Sequence, residues 1–197
     1  MRVIAGSARR LLLKTVEGLD TRPTTDRIKE TLFNILQNEI SGSTVLDLFA
    51  GSGAIGIEAL SRGAREAVFI ENGSRQAACI RDNLRTTRLM EKAVVMECDV
   101  LKGISRLSTQ KKFDFIFLDP PYLKGIEQTV LNAVRESGTA GRDTLIIVEA
   151  ALITDFSWAE SFGYRIVRRK EYKTNQHVFL KLHDGGDYET SHLPREL

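Results

Sequence analysis

The chain has 197 residues and a net charge of +2, with 42% apolar and 27% charged residues. That composition excludes a disordered or low-complexity chain and suits one globular domain with a sizeable core. No apolar run approaches the roughly 20 residues needed to cross a bilayer, and charges interrupt the short apolar runs of MRVIAGSARRLLLKT, which makes it a poor signal peptide.

In chain order, RVIAG and RRLLLKT read as a small hairpin whose Ile4, Leu11 and Leu13 offer a face to cover a sheet. The run TTDRIKETLFNILQNEI then places Ile28, Leu32, Ile35, Leu36 and Ile40 on one helical stripe, capped by Thr24 or Thr25 after Pro23. Residues 1–40 are thus expected as an extension packed on a core spanning 41–183. Residues 184–197 lack apolar periodicity and are expected as a loose tail. From residue 44 onward, short β-rich runs alternate with helical stretches. Strands are expected at 44–49, 66–71, 93–98, 113–118, 143–150, 164–172 and 176–182, and helices at about 54–62, 74–89, 100–109, 125–137 and 155–161. The first four strands are continuous apolar runs, as befits strands covered on both faces. The alternation implies a Rossmann-like α/β sheet, mostly parallel, and the short last connection implies an antiparallel terminal hairpin at one edge. Cys79 and Cys98 read as small buried hydrophobes in a reducing, cytoplasmic compartment. No His or Cys cluster has metal-ligand spacing, so no metal is expected.

VLDLFAGSGAIG places Gly51, Gly53 and Gly56 in a G-x-G-x-x-G spacing between a strand and a helix, where backbone approaches a nucleotide closely. Asp47 lies inside that strand, four residues before Gly51. A carboxylate there repels the pyrophosphate of a dinucleotide but can pair with an ammonium, which S-adenosylmethionine (SAM) carries and NAD does not. Glu71 ends the next strand and can accept from both ribose hydroxyls, in either kind of site. Asp99 can take the adenine amino group with Val100 N–H near the ring, or cap the following helix, or do both. The cofactor-binding set is therefore Asp47, Phe49, Gly51, Gly53, Glu71, Asn72, Asp99 and Val100. Seven strands ending in a hairpin also suit a methyltransferase sheet better than the six parallel strands usual for dinucleotide folds.

FDFIFLDPPY ends an apolar strand in Asp119-Pro120-Pro121-Tyr122 at the carboxyl edge of the sheet. Two prolines have no N–H groups and hold a stiff extended turn. The Asp119 carboxylate and the Pro120 carbonyl are then free to accept from one NH₂ group, and Tyr122 offers a face on which a base can stack. An exocyclic amine is a poor nucleophile because its lone pair is delocalised into the ring. Acceptors around it favour a pyramidal nitrogen aimed at a methyl donor.

VLDLFAGSGAIGIEAL, FIENGSRQAACIRDNL, DFIFLDPPY and RPTTDRIKETLFNIL together resemble the RsmD family of bacterial 16S rRNA guanine-N2 methyltransferases, over nearly everything from Met1 to about Leu182. The resemblance implies SAM as donor, the 2-amino group of one guanine in small-subunit rRNA as acceptor, and an assembled small-subunit particle as substrate for a monomeric enzyme. Where the family commonly has Tyr-Gly near the terminal hairpin, this chain has Tyr172-Lys173. Arg9, Arg10, Arg22, Thr24 and Arg27 are the candidates for contacts to RNA, since Lys and Arg side chains there would meet phosphates. The alternative class is an exocyclic-amine methyltransferase of DNA or other RNA acting on adenine N6, although DNA enzymes of that kind normally carry a target-recognition domain for which this chain has no room. A binding-only module and a nicotinamide oxidoreductase fit the carboxylate set less well.

Overall fold

Runs rich in Val, Ile and Phe, too short for helices, form the seven strands at the centre of the computed structural model, which describes residues 1–16, 26–107, 111–121 and 125–183. They are β1 (Thr44–Leu48), β2 (Glu66–Glu71), β3 (Ala93–Glu97), β4 (Phe115–Leu118), β5 (Leu145–Ala151), β6 (Tyr164–Glu171) and β7 (Asn175–Leu182). The helices are α1 (Asp26–Ile35), α2 (Ala54–Ser61), α3 (Ser74–Thr87), α4 (Val100–Arg106) and α5 (Ile126–Ser137). The sheet order is β3-β2-β1-β4-β5-β7-β6. The first five strands are mutually parallel, and β7 runs antiparallel to both β5 and β6. Chain order reverses between β1 and β4, and open α/β sheets bind ligands in the crevice that such a reversal leaves at the carboxyl ends of the strands.

Side chains alternate across the sheet. Val45, Phe69, Phe115, Phe117, Ile147 and Phe179 pack on one face with Val3, Leu13, Leu32, Phe33 and Ile57. Leu46, Ile70, Ile116, Leu118, Val148 and Leu180 pack on the other with Ile104, Val130 and Val134. Strands β1, β2 and β4 are covered on both sides as expected, whereas β3 is an edge strand that leaves Val94 53% exposed. Edge position, invisible in the run AVVMEC, accounts for the difference.

Two further expectations change. No α-helix spans 155–161; the segment makes turns and a short 3₁₀ turn at Glu160–Phe162. There the Asp155 carboxylate accepts from Ser157 N and Ser157 Oγ, a local alternative to helical bonding. In α1 the buried residues are Lys29, Leu32 and Phe33, with Leu36 just beyond, while Ile28 and Ile35 are half-buried. The stripe has turned by one residue because a lysine occupies the core.

That lysine organises the N-terminal segment. The Lys29 ammonium lies 3.2 Å from Glu58 on α2 and donates to the Arg2 carbonyl at 2.6 Å. Glu58 also accepts from Ile4 N, Ala5 N and Arg62 Nε. Burial lowers the Lys29 pKa, and the charge of Glu58 opposes that shift. The expected hairpin is present as a loose pair with one bridge, Arg2 to Leu12, flanked by Val3 N to Leu11 O and Arg10 N to Val3 O at 2.9 Å each. Val3, Ala8 and Leu13 are its buried residues, whereas Leu11 is 40% exposed. The proposed caps Thr24 and Thr25 and the tail 184–197 lie outside the described residues.

Candidate active site

The turn after β1 needs left-handed backbone at three positions, with φ of 62° at Phe49, 55° at Gly51 and 77° at Gly53. Gly56 serves packing instead. A Cβ there would stand 2.3 Å from the Phe69 ring, so its absence lets α2 approach β2 and donate Gly56 N to Asp47 Oδ2 at 2.9 Å.

Asp47 is 4% exposed, and burial raises its carboxyl to about 7, opposed by the Gly56 bond and reinforced by the charge of Glu71. A cation bound beside it would restore the ionised form. Glu71 accepts from Gly51 N and Gly73 N at 2.8 Å each, so it braces the glycine turn from the neighbouring strand. Asp99 caps α4, with Oδ1 accepting from Leu101 N and Lys102 N. Asn72 is exposed, and Val100, next to Asp99 in the chain, is buried. These residues occupy the carboxyl ends of β1, β2 and β3, side by side in the sheet.

Asp119 follows β4 at the reversal point. It shares a small cavity of about 20 Å³ with Asp47, Phe117, Ile147, Glu149, His177, Leu32 and Ile55. That volume holds one water. Asp119 is exposed as a residue, yet its carboxyl is held well above the ordinary range, first by loss of solvation and then by the charges of Glu149 and Asp47. Solvent in the cleft relieves the first cause; the fold fixes the repulsion. Pro120 is buried and Pro121 exposed, and Tyr122 lies outside the described residues. A larger depression of about 310 Å³, lined by Ser41, Ser43, Asp114 and Asp143 among others, lies at the amino edge of the sheet and contains none of the site residues.

Arg9, Arg10 and Arg27 are exposed, and Arg27 lies in the first turn of the helix whose Leu32 lines the cavity. Arg22 and Thr24 lie outside the described residues. Among the described residues no group of three His, Cys, Asp or Glu could hold a metal, and no helix is long and apolar enough to cross a membrane.

The family described as conserved hypothetical protein 95 matches residues 1–181. The chain belongs to this RsmD family. Two bacterial relatives share much of the RsmD-family chain. YlbH of Bacillus subtilis is 37% identical over 172 residues, 87% of this chain and 92% of that protein. Ribosomal RNA small subunit methyltransferase D of Haemophilus influenzae is 39% identical over 165 residues, 80% of this chain and 84% of its own length. The solved structure of Escherichia coli YhhF matches with a TM-score of 0.82 at 31% identity, covering 93% of this chain and 98% of that one. The fold is thus the Rossmann-like sheet of the methyltransferases, with its antiparallel terminal pair.

Sequence reasoning missed part of this RsmD-family site. Glu149, on β5, accepts from Asn175 Nδ2 at 2.6 Å and lies 3.2 Å from His177 Nε2, and His177 Nδ1 lies 3.2 Å from the Tyr172 hydroxyl. A lone carboxylate inside the apolar run LIIVEA was the available signal, since such a residue is seldom buried without a partner.

Proposed function

We propose that the protein transfers the methyl group of SAM to the 2-amino group of a guanine in small-subunit rRNA, in the cytoplasm and as a monomer on an assembled particle. The observation that carries this reading is that Asp119 and Asp47 border one cavity at the reversal point of the sheet. One carboxylate faces the donor's side and the other the acceptor's. The residues fit SAM by their chemistry, with Asp47 for the ammonium, Glu71 for the ribose hydroxyls, and Asp99 with Val100 for the adenine. Gly51, beside which a Cβ would meet only the Phe49 carbonyl oxygen at 4.0 Å, leaves room for a close ligand. Bound there, SAM supplies an electrophilic methyl group.

The chain's residues do the rest. Asp119 and the Pro120 carbonyl accept from the 2-amino group and localise its lone pair, and Tyr122 stacks on the base. As the new N–C bond forms, the methyl–sulfur bond of the bound donor would break with its electron pair left on sulfur, and the amine would shed one proton. Asp119, crowded by two other carboxylates, has the proton affinity to receive it. The name of the Haemophilus influenzae relative supports an rRNA substrate. Mass spectrometry of rRNA from a deletion strain tests the proposal directly. One N2-methylguanosine should be missing and should return on complementation; loss of N6-methyladenosine instead, or no loss, rejects it.

Glu71→Gln keeps one acceptor oxygen for the turn amides but removes the charge. Affinity for SAM and for S-adenosylhomocysteine should fall together by about 1.5–3 kcal/mol, because both share the ribose. Unchanged calorimetric affinity for both would remove Glu71 from the pocket.

Arg9→Glu with Arg10→Glu should leave SAM binding and thermal stability close to wild type, since both side chains are exposed. Methylation of particles should fall, and the deficit should widen between low and physiological salt as phosphate contacts are lost. Full activity at physiological salt would rule out these arginines as the RNA grip.

A further inference from the structure

Asp119, Glu149 and His177 form a row across the carboxyl edge of the sheet. In the register of β4 and β5, Leu118 pairs with Val148, so Asp119, just past the end of β4, follows one residue further along beside Glu149 on β5; Glu149 in turn pairs with His177 on β7. Neighbouring strands lie about 4.8 Å apart. All three residues line the cavity already described.

The far side of the row holds Glu149 in one orientation. Asn175 Nδ2 donates to Oε1, and the His177 tautomer with hydrogen on Nε2 donates to Oε2 while its Nδ1 accepts from the Tyr172 hydroxyl. Asn175 is 4% exposed, and its Oδ1 is a buried oxygen without a partner among the described residues. Two carboxylates side by side at one cavity suit a ligand edge that presents adjacent donors to both. A guanine presents such an edge, with N1–H next to the 2-amino group. Adenine and cytosine each present a ring acceptor beside the exocyclic amine, which would face Glu149 with repulsion.

Resting on the proposed function, we propose that Glu149, clamped by His177 and Asn175, selects guanine by accepting N1–H while Asp119 accepts from the 2-amino group. His177 and Asn175 are positioning residues in this arrangement. Both carboxylates line the one cavity, so a base edge placed there would meet them with its two donors.

The base 2-aminopurine separates recognition of the amine from recognition of N1, because it keeps the 2-amino group and replaces N1–H by an acceptor. Small-subunit particles reconstituted with guanosine or 2-aminopurine riboside at the methylated position supply the two substrates. Wild-type protein should favour guanosine by at least about 100-fold in kcat/KM, since a site built to accept N–H is left facing an acceptor in the analogue. In Glu149→Gln the amide can turn its NH₂ group toward that acceptor, and the preference should shrink to about tenfold or less. Equal use of both bases by wild type, or an unchanged preference in the variant, overturns the inference. Where Glu149→Gln is inactive on both, Glu149→Asp decides: a retained preference supports selection by charge, and loss of the preference overturns it. Guanosine left unmethylated by wild type would overturn the proposed function itself, and this inference with it.

Discussion

Asp119→Ala should keep SAM binding and lose methyl transfer by on the order of 100-fold or more, comparable to removal of one preorganised electrostatic partner. The contacts proposed for the donor fall to Asp47, Glu71 and Asp99, on β1, on β2 and just past β3, so calorimetry with SAM should scarcely change. Asp119 instead stands after β4, beside the cavity proposed for the acceptor. In the proposed mechanism its substitution removes an acceptor for the amine and the group that takes the proton. Asp119→Asn keeps an acceptor oxygen but not the proton affinity, so it should fall between wild type and alanine in single-turnover measurements on particles. Near-normal single-turnover rates for the alanine variant would take Asp119 out of the mechanism.

Glu58→Ala should destabilise the fold by about 3–5 kcal/mol, the usual consequence of leaving a buried charge without its partner. Lys29 and Glu58 side chains are both 0% exposed, and Glu58 is the carboxylate shared by Lys29, Arg62 and the amides of Ile4 and Ala5, while Lys29 also donates to the Arg2 carbonyl. For a chain of this size the melting temperature should drop by roughly 10 °C. Combining Lys29→Met with Glu58→Gln should recover part of the loss, because the fully buried Lys29 charge is then gone and one acceptor oxygen remains for the amides. The single variant should also weaken acceptor handling, since α1 carries Leu32 into the cavity wall. A melting temperature within 2 °C of wild type for Glu58→Ala would show that the N-terminal segment docks by apolar contacts alone.

Pattern and local chemistry made much of the molecule legible. Alternation of strands and helices, and the short last connection, are properties of residues close in sequence, and they determine a mostly parallel sheet with a terminal hairpin. The glycine turn, Asp47 inside its strand and the Asp-Pro-Pro sequence at a strand end are likewise local signals. Each says what its own backbone can do and which ligand chemistry it tolerates. The turn at 155–161 misled because Asp155 and Ser157 bond to each other, a competition that helical periodicity does not register.

What tertiary structure alone decided is partnership. Nothing in TTDRIKETLFNIL marks Lys29 as a core residue, since a lysine in a helix is ordinarily a solvated one; only Glu58, 29 positions later and on another helix, makes its burial tolerable. Nor does LIIVEA reveal that Glu149 sits in line with Asp119 and His177. That row exists because β5 inserts between β4 and β7 and the registers align, and registers are set by packing of the whole sheet. The sequence alone therefore determined the class of chemistry, which depends on residue types at short spacing. The electrostatic setting of the proposed acceptor site depends on charges at neighbouring strand ends brought together by the sheet, and only the folded chain supplies that.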